Sequence, residues 1–204
     1  MNKAIHGALR RDLTRFLDAL AAFPDADSAR ARQLGVAWAN FHDQLTTHHE
    51  GEHEIAWPAL TQVGVSAEVL AQMDAEHDIL AAALATTAAA MKTLEGKPSS
   101  ASAAAARGAI SELRTVIETH FEHEERELDP VYLSKKDDPV IKAMGRKFGK
   151  VSPMVGGRFF AWVTNGASAD ELAAIKGNVP PPVLAIIGGI FGRGYRRNVA
   201  SVWR

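Results

Sequence analysis

The chain has 204 residues, 47% of them apolar, and a net charge of −1, which suits one domain with a substantial core and room for an appendage. It contains no cysteine, which excludes disulfides, thiolate metal sites, iron–sulfur clusters and cysteine nucleophiles and leaves histidine and carboxylate as the strong ligands. The charge is uneven: from residue 146 onward nine Lys/Arg face only Asp170 and Glu171, a net +7, so residues 1–145 carry −8.

Charges in the N-terminal MNKAIHGALRRDL stand where a signal peptide needs an apolar run, and the apolar stretch Val183–Phe191 is too short to span a bilayer. A soluble, cytoplasmic protein with no membrane span is expected. Frequent Ala, Leu and Glu favour helix. Punctuation divides the first 135 residues into four helical segments, with breaks at Pro24–Ser28, Gly64–Ser66 and Gly96–Ser100 and a closing stretch from Asp129-Pro130 through Pro139. Short connections between four helices predict an all-α, up-down-up-down antiparallel four-helix bundle.

Each segment carries an apolar stripe at steps of three and four. The first reads His6, Leu9, Leu13, Leu17, Leu20. The second reads Trp38, Phe41, Leu45, His48, Glu52, Ile55, Ala59. The third reads Met73, His77, Leu80, Leu84, Met91, and the fourth Ile110, Leu113, Ile117, His120, Glu124, then Val131. A histidine interrupts every buried face, and two stripes add a glutamate one turn later.

Residues 136–204 are richer in Gly and Pro. Ser168-Ala169-Asp170-Glu171 has the form of a capping box, and Pro180-Pro181-Pro182 precedes a helical piece expected to run through Ile186, Phe191, Tyr195 and Val199 to Trp203. This short helical C-terminal extension is too small for a core of its own, so it is expected to pack on the bundle or on a partner subunit of a homodimer. Its basic residues are dispersed among Gly and Pro, which argues against nucleic acid as a partner.

The stretch HHEGEHEIAWP at residues 48–58 admits two frames. His49, Glu50 and His53 spell H-E-x-x-H, a zinc-peptidase signature. His48 and Glu52 spell H-x-x-x-E, which puts both side chains on one helix face. An internal repeat decides between them. His6 to His77 is an offset of 71, while His48 to His120, Glu52 to Glu124 and Pro58 to Pro130 are offsets of 72. Under this repeat Phe121 replaces His49, so the zinc frame has no echo. His49 and His53 also lie about 100° around the helix from the repeated pair. His42, His49, His53 and His123 are accordingly expected on solvated faces, with His49 kept as an alternative ligand or support group.

A buried ionised glutamate costs several kcal/mol unless a cation meets it. Four imidazoles, His6, His48, His77 and His120, with two carboxylates, Glu52 and Glu124, therefore predict a pair of metal ions, a donor set suiting iron with manganese or zinc as substitutes. Ferritin-like di-iron bundles need two E-x-x-H motifs, and only Glu50/His53 is present.

His6, His48-x-x-x-Glu52, His77 and His120-x-x-x-Glu124, with Trp57-Pro58 and Asp129-Pro130 ending the repeats, resemble the hemerythrin-like HHE cation-binding domain over about residues 1–135. The resemblance implies a bundle holding two iron ions as a non-haem Fe–O–Fe centre, with an oxo, hydroxo or peroxide group as the exogenous ligand. It implies histidines as terminal ligands and both glutamates as bridges. It also implies dioxygen binding, or reaction with dioxygen, hydrogen peroxide or nitric oxide, including catalase-like disproportionation. Oxygen-carrying hemerythrins have H-x-x-x-H on the third helix, where this chain has Ala81, and H-x-x-x-x-D on the fourth, where it has Glu125. One imidazole fewer favours reaction over reversible carriage. The repeat favours Glu124 as the ligand, with Glu125 as the alternative. A metal-dependent regulatory module using the basic tail is the second functional expectation, and a zinc peptidase the third.

Overall fold

The computed structural model describes residues 1–204, and all of its regular structure is helical. Four long helices dominate: α1 (Asn2–Ala21), α2 (Ser28–Gly51), α4 (Ala67–Gly96) and α5 (Ser100–Ser134), with a short α3 (Trp57–Gln62) after α2. The starts of α2, α4 and α5 are fixed by side chains that satisfy free N–H groups of the first turn. Asp27 accepts from Ala29 and Arg30, Ser66 from Val69, and Ser99 exchanges bonds with Ser102. Gly64, at φ 98°, makes the left-handed turn between α3 and α4.

Helix α5 packs on α1 and α4, and α2 packs on α4 and α1, so the four helices close a ring. The stripes meet inside it: Leu9, Leu13, Phe16, Phe41, Leu45, Leu80, Leu113 and Ile117 are fully buried. An all-α bundle, as expected, is what these residues build.

Two details depart from the periodic reading. Between α2 and α3 the chain makes a π-helical turn, Glu52–Ala56, in which the Trp57 N–H reaches back five residues to the Glu52 carbonyl. Pro58 follows and has no N–H for the regular ladder, so the wider turn is accommodated here. The extra residue shifts the buried face by one position. Ala56, at 1% exposure, takes the place expected for Ile55, Trp57 turns inward, and Leu60 joins the expected Ala59 as a buried residue. The second departure is at Pro130, which does not end α5. The helix runs to Ser134 because Leu128, Val131 and Tyr132 pack on a second apolar cluster with Trp57, Leu60, Met73 and Ile141.

The rest of the chain forms α6 (Pro139–Phe148), α7 (Pro153–Val163), α8 (Ala169–Asn178), α9 (Pro181–Phe191), α10 (Arg193–Asn198) and a final 3₁₀ turn, Ala200–Trp203. The helical piece expected from Pro182 to Trp203 is broken at Gly192. There α9 crosses α7 so closely that a Cβ on Gly157 would strike Phe191, and one on Gly192 would strike the Gly188 and Gly157 carbonyls. The Ser168/Glu171 capping box opens α8. No single helix is long and apolar enough to cross a membrane.

These helices share the bundle's core. Ala161, Trp162, Val163, Ile175, Tyr195, Val199 and Val202 belong to the same buried cluster as the residues of α1 and α2. Arginines on the bundle hold carbonyls of the extension: Arg11 bonds Val163 O at 3.0 Å, Arg15 bonds Asn165 O at 3.2 Å, and Arg30 bonds Val202 O at 2.8 Å. At the centre of this contact the buried Asp12 carboxylate accepts from Trp162 Nε1 at 2.8 Å and from Arg15 at 3.0 Å. Asp12→Ala leaves the indole N–H of a fully buried tryptophan unpaired. It is expected to lower unfolding free energy by about 2 kcal/mol in urea titrations.

Candidate metal centre

The centre lies where four helices bring their stripe histidines to one level. His6 stands near the start of α1, His48 near the end of α2, His77 in the first half of α4 and His120 in the second half of α5. Their Nε2 atoms meet in pairs, His6 with His48 at 3.1 Å and His77 with His120 at 3.1 Å. Glu52, at the first position of the π turn, spans the two pairs. Its Oε1 is 3.2 Å from His48 Nε2 and its Oε2 is 3.4 Å from His77 Nε2. Glu124 Oε2 is 3.1 Å from His6 Nε2, while its Oε1 accepts from Asn2 Nδ2 at 2.7 Å.

The donors form two sets, His6/His48/Glu52/Glu124 and His49/Glu52/His77/His120, whose ligand atoms lie within 4.8 Å of one another in each set. All six residues expected from the stripes are therefore brought together, and Glu52 belongs to both sets.

The outer nitrogens of two imidazoles are held from behind. His6 Nδ1 meets Glu125 Oε1 at 2.8 Å, and Arg10 meets the same oxygen at 2.8 Å. His120 Nδ1 meets Glu76 Oε2 at 2.9 Å, and the other oxygen of Glu76 meets His123 Nδ1 at 2.6 Å. Such pairing fixes the tautomer and presents Nε2 to the centre. Glu125 thus supports His6 from outside, while Glu124 is the carboxylate that turns inward. Aromatic rings wall the centre: Phe121 stacks on His6 with centroids 3.6 Å apart, and Trp57 stacks on His77 at 5.9 Å.

Burial sets most of the protonation states. It drives His48 and His49 well below the ordinary imidazole value, helped by the neighbouring histidines, and lowers His77 to about 4. His120 is also lowered by burial, against the opposing pull of Glu76. For His6, burial is outweighed by Glu124 and Glu125, and its pKa is raised. Burial and the adjacent Glu124 push Glu52 well above the carboxylate range. Neutral imidazoles are the form that binds metal.

Both oxygens of Glu52, Oε2 of Glu124 and Nε2 of His49 are buried with no hydrogen-bond partner. Polar atoms left so cost several kcal/mol in an apolar core, and a cation at each donor set would relieve that cost. Nitrogen and carboxylate donors of this kind fit iron or another divalent transition metal.

The hemerythrin HHE cation binding domain matches residues 3–132. The chain belongs to that family. No curated protein and no solved structure matches it.

Within this hemerythrin domain the zinc-peptidase frame is not assembled. His53 is 68% exposed, meets Asp74 at 3.2 Å and belongs to neither donor set. His49 departs from expectation in the opposite sense: rather than being solvated, it lies inside the second set, its ring stacked on His77 at 4.2 Å. The reason is lateral. A residue 100° from the stripe of α2 faces the neighbouring α4, where the small side chain of Ala81 leaves space. Periodicity does not reveal Glu76, Asn2 or Tyr132. Glu76 was signalled only by its place next to His77. Asn2 sits in the first turn of α1. Tyr132 lies beyond the proline expected to end α5, and burial pushes its phenol upward, with Glu124 and Glu52 nearby.

Proposed function

We propose that this hemerythrin-family chain is a non-haem di-iron protein that binds or reacts with dioxygen, peroxide or nitric oxide. In this reading His6, His48 and Glu124 hold one ion, His77 and His120 the other, and Glu52 is shared. The observation that carries it is the Glu52 carboxylate, buried, without a hydrogen bond, and with one oxygen toward each pair of histidines. A pair of iron ions would supply open coordination positions and redox steps that side chains lack.

The chain's own groups do the rest. Glu125 and Glu76 keep protons on the outer nitrogens of His6 and His120, so the inner nitrogens stay free as donors. Phe121 and Trp57 exclude water on two sides. Between α2 and α4 a groove of about 430 Å³, lined by His49, His77 and Ala81, reaches the second donor set and offers small molecules a path. An open path to the second donor set favours reaction, such as peroxide disproportionation, over storage.

Anaerobic loading should take up about two Fe(II) per chain, and air should then produce the absorption bands of an oxo-bridged diferric pair. A folded protein that takes up no iron under these conditions refutes the proposal.

A further inference from the structure

The internal repeat predicts two equivalent half-sites, and the structure does not show them. Under the repeat, the set His6/His48/Glu52/Glu124 maps onto His77/His120/Glu124/Glu52. Both glutamates would then serve both positions. Glu52 does so, but Glu124 turns its Oε1 to Asn2 at 2.7 Å. Asn2 has no counterpart: at an offset of 71 stands Met73, which is buried and offers no donor to Glu52. The second position therefore lacks the carboxylate oxygen that the first one receives.

His49 stands where that donor is missing. Its repeat mate is Phe121, and the two rings have the same neighbour by symmetry. Phe121 stacks on His6 at 3.6 Å, and His49 stacks on His77 at 4.2 Å. Packing alone is satisfied by a phenyl ring. The imidazole adds two nitrogens: Nε2 is buried with no hydrogen-bond partner, and a ring nitrogen falls within 4.8 Å of the donor atoms of Glu52, His77 and His120.

We propose that His49 is a ligand of the second metal position, so that the centre has five imidazoles and is chemically asymmetric. One ion is held by His6, His48, Glu52 and Glu124, and the other by His49, His77, His120 and Glu52. Asn2 and His49 are the paired differences that break the symmetry: one withdraws a carboxylate oxygen, and the other replaces it with nitrogen. The imidazole that Ala81 does not provide on α4 comes from α2 instead. This inference rests on the two-metal reading above.

His49→Phe tests it, because it copies the ring found at the symmetric position and keeps the stack on His77. Anaerobic Fe(II) and Co(II) titrations are compared for wild type, His49→Phe, His49→Ala and the exposed control His53→Ala, with helical circular dichroism reporting the fold. Wild type and His53→Ala should bind two equivalents. His49→Phe should retain one at wild-type affinity and bind the other about a hundredfold more weakly. Free imidazole, admitted through the groove, should restore the second equivalent in His49→Ala and not in His49→Phe. Wild-type affinity for both equivalents in His49→Phe overturns the assignment. So does equal weakening of both, or a second equivalent that imidazole does not restore in His49→Ala. Failure of the wild type to bind two ions would instead defeat the di-iron reading itself.

Discussion

Glu52→Gln is expected to change metal binding and apoprotein stability in opposite directions. Glu52 is the one residue common to both donor sets, so its charge is lost from two positions at once. Glutamine keeps the shape but presents one weak oxygen donor and an amide N–H that repels a cation. Each ion should bind at least about a hundredfold more weakly, more than for loss of any single terminal imidazole. Without metal the sign reverses. Burial and the nearby Glu124 already raise the Glu52 pKa well above the carboxylate range, so the charged form opposes folding. Neutral glutamine removes that cost, and the apoprotein should gain about 1–3 kcal/mol. Metal titration and urea unfolding of the metal-free variant measure the two effects. A variant that lost metal and also lost apoprotein stability would show that Glu52 is held by protein contacts rather than reserved for a cation.

That opposition explains how much of the site periodicity revealed. Residues selected for a ligand must point along the bundle axis, so they obey the 3.6-residue repeat that builds the core. His6, His48, Glu52, His77, His120 and Glu124 could be read on that basis, and the duplication supplied a second copy against which to check them. Support groups obey no such rule. Glu76 and Glu125 reach their imidazoles from outside the ring of helices, where any long polar side chain at the right height will serve. His49 lies on the flank of α2, and flank positions are buried or solvated according to the size of the neighbour opposite. The shift at Ile55/Ala56 has a similar origin: a strict period cannot anticipate a five-residue turn, although Pro58 marks the place where the ladder must adjust. The extension was legible as helical and as a piece that packs on another core, but its contacts there were not, because they depend on Asp12, Arg11 and Arg15, polar residues of α1 that faced no partner in the sequence pattern.

Metal removal should expose the tension in the imidazole cluster, and pH should make it measurable. If the ions bind the folded chain and free ion stands near a thousand times the dissociation constant, stripping them lowers unfolding free energy by about 4 kcal/mol. The apoprotein should then weaken further in acid. His77 titrates near 4 in the folded chain because it is buried, against 6.5 as its ordinary value, and His48 and His49 are displaced in the same direction. Between those values the unfolded chain binds protons that the folded chain refuses, so stability is greatest above pH 6.5 and declines as pH falls toward 4. His77 alone accounts for about 3 kcal/mol of that decline. His6 opposes it, since its raised pKa gives stability that is present below 6.5 and disappears as pH rises through the folded value. His120 is lowered as well, so four histidines stand against His6 and the raised Glu52, and the acid loss is dominant. Urea midpoints of the metal-free protein should fall steadily from pH 6.5 to 4, with a shallower slope in His77→Leu. A flat profile, or an unchanged slope in His77→Leu, would mean that the cluster opens to solvent once the ions leave, and that the metal organises the centre rather than filling one the fold has already built.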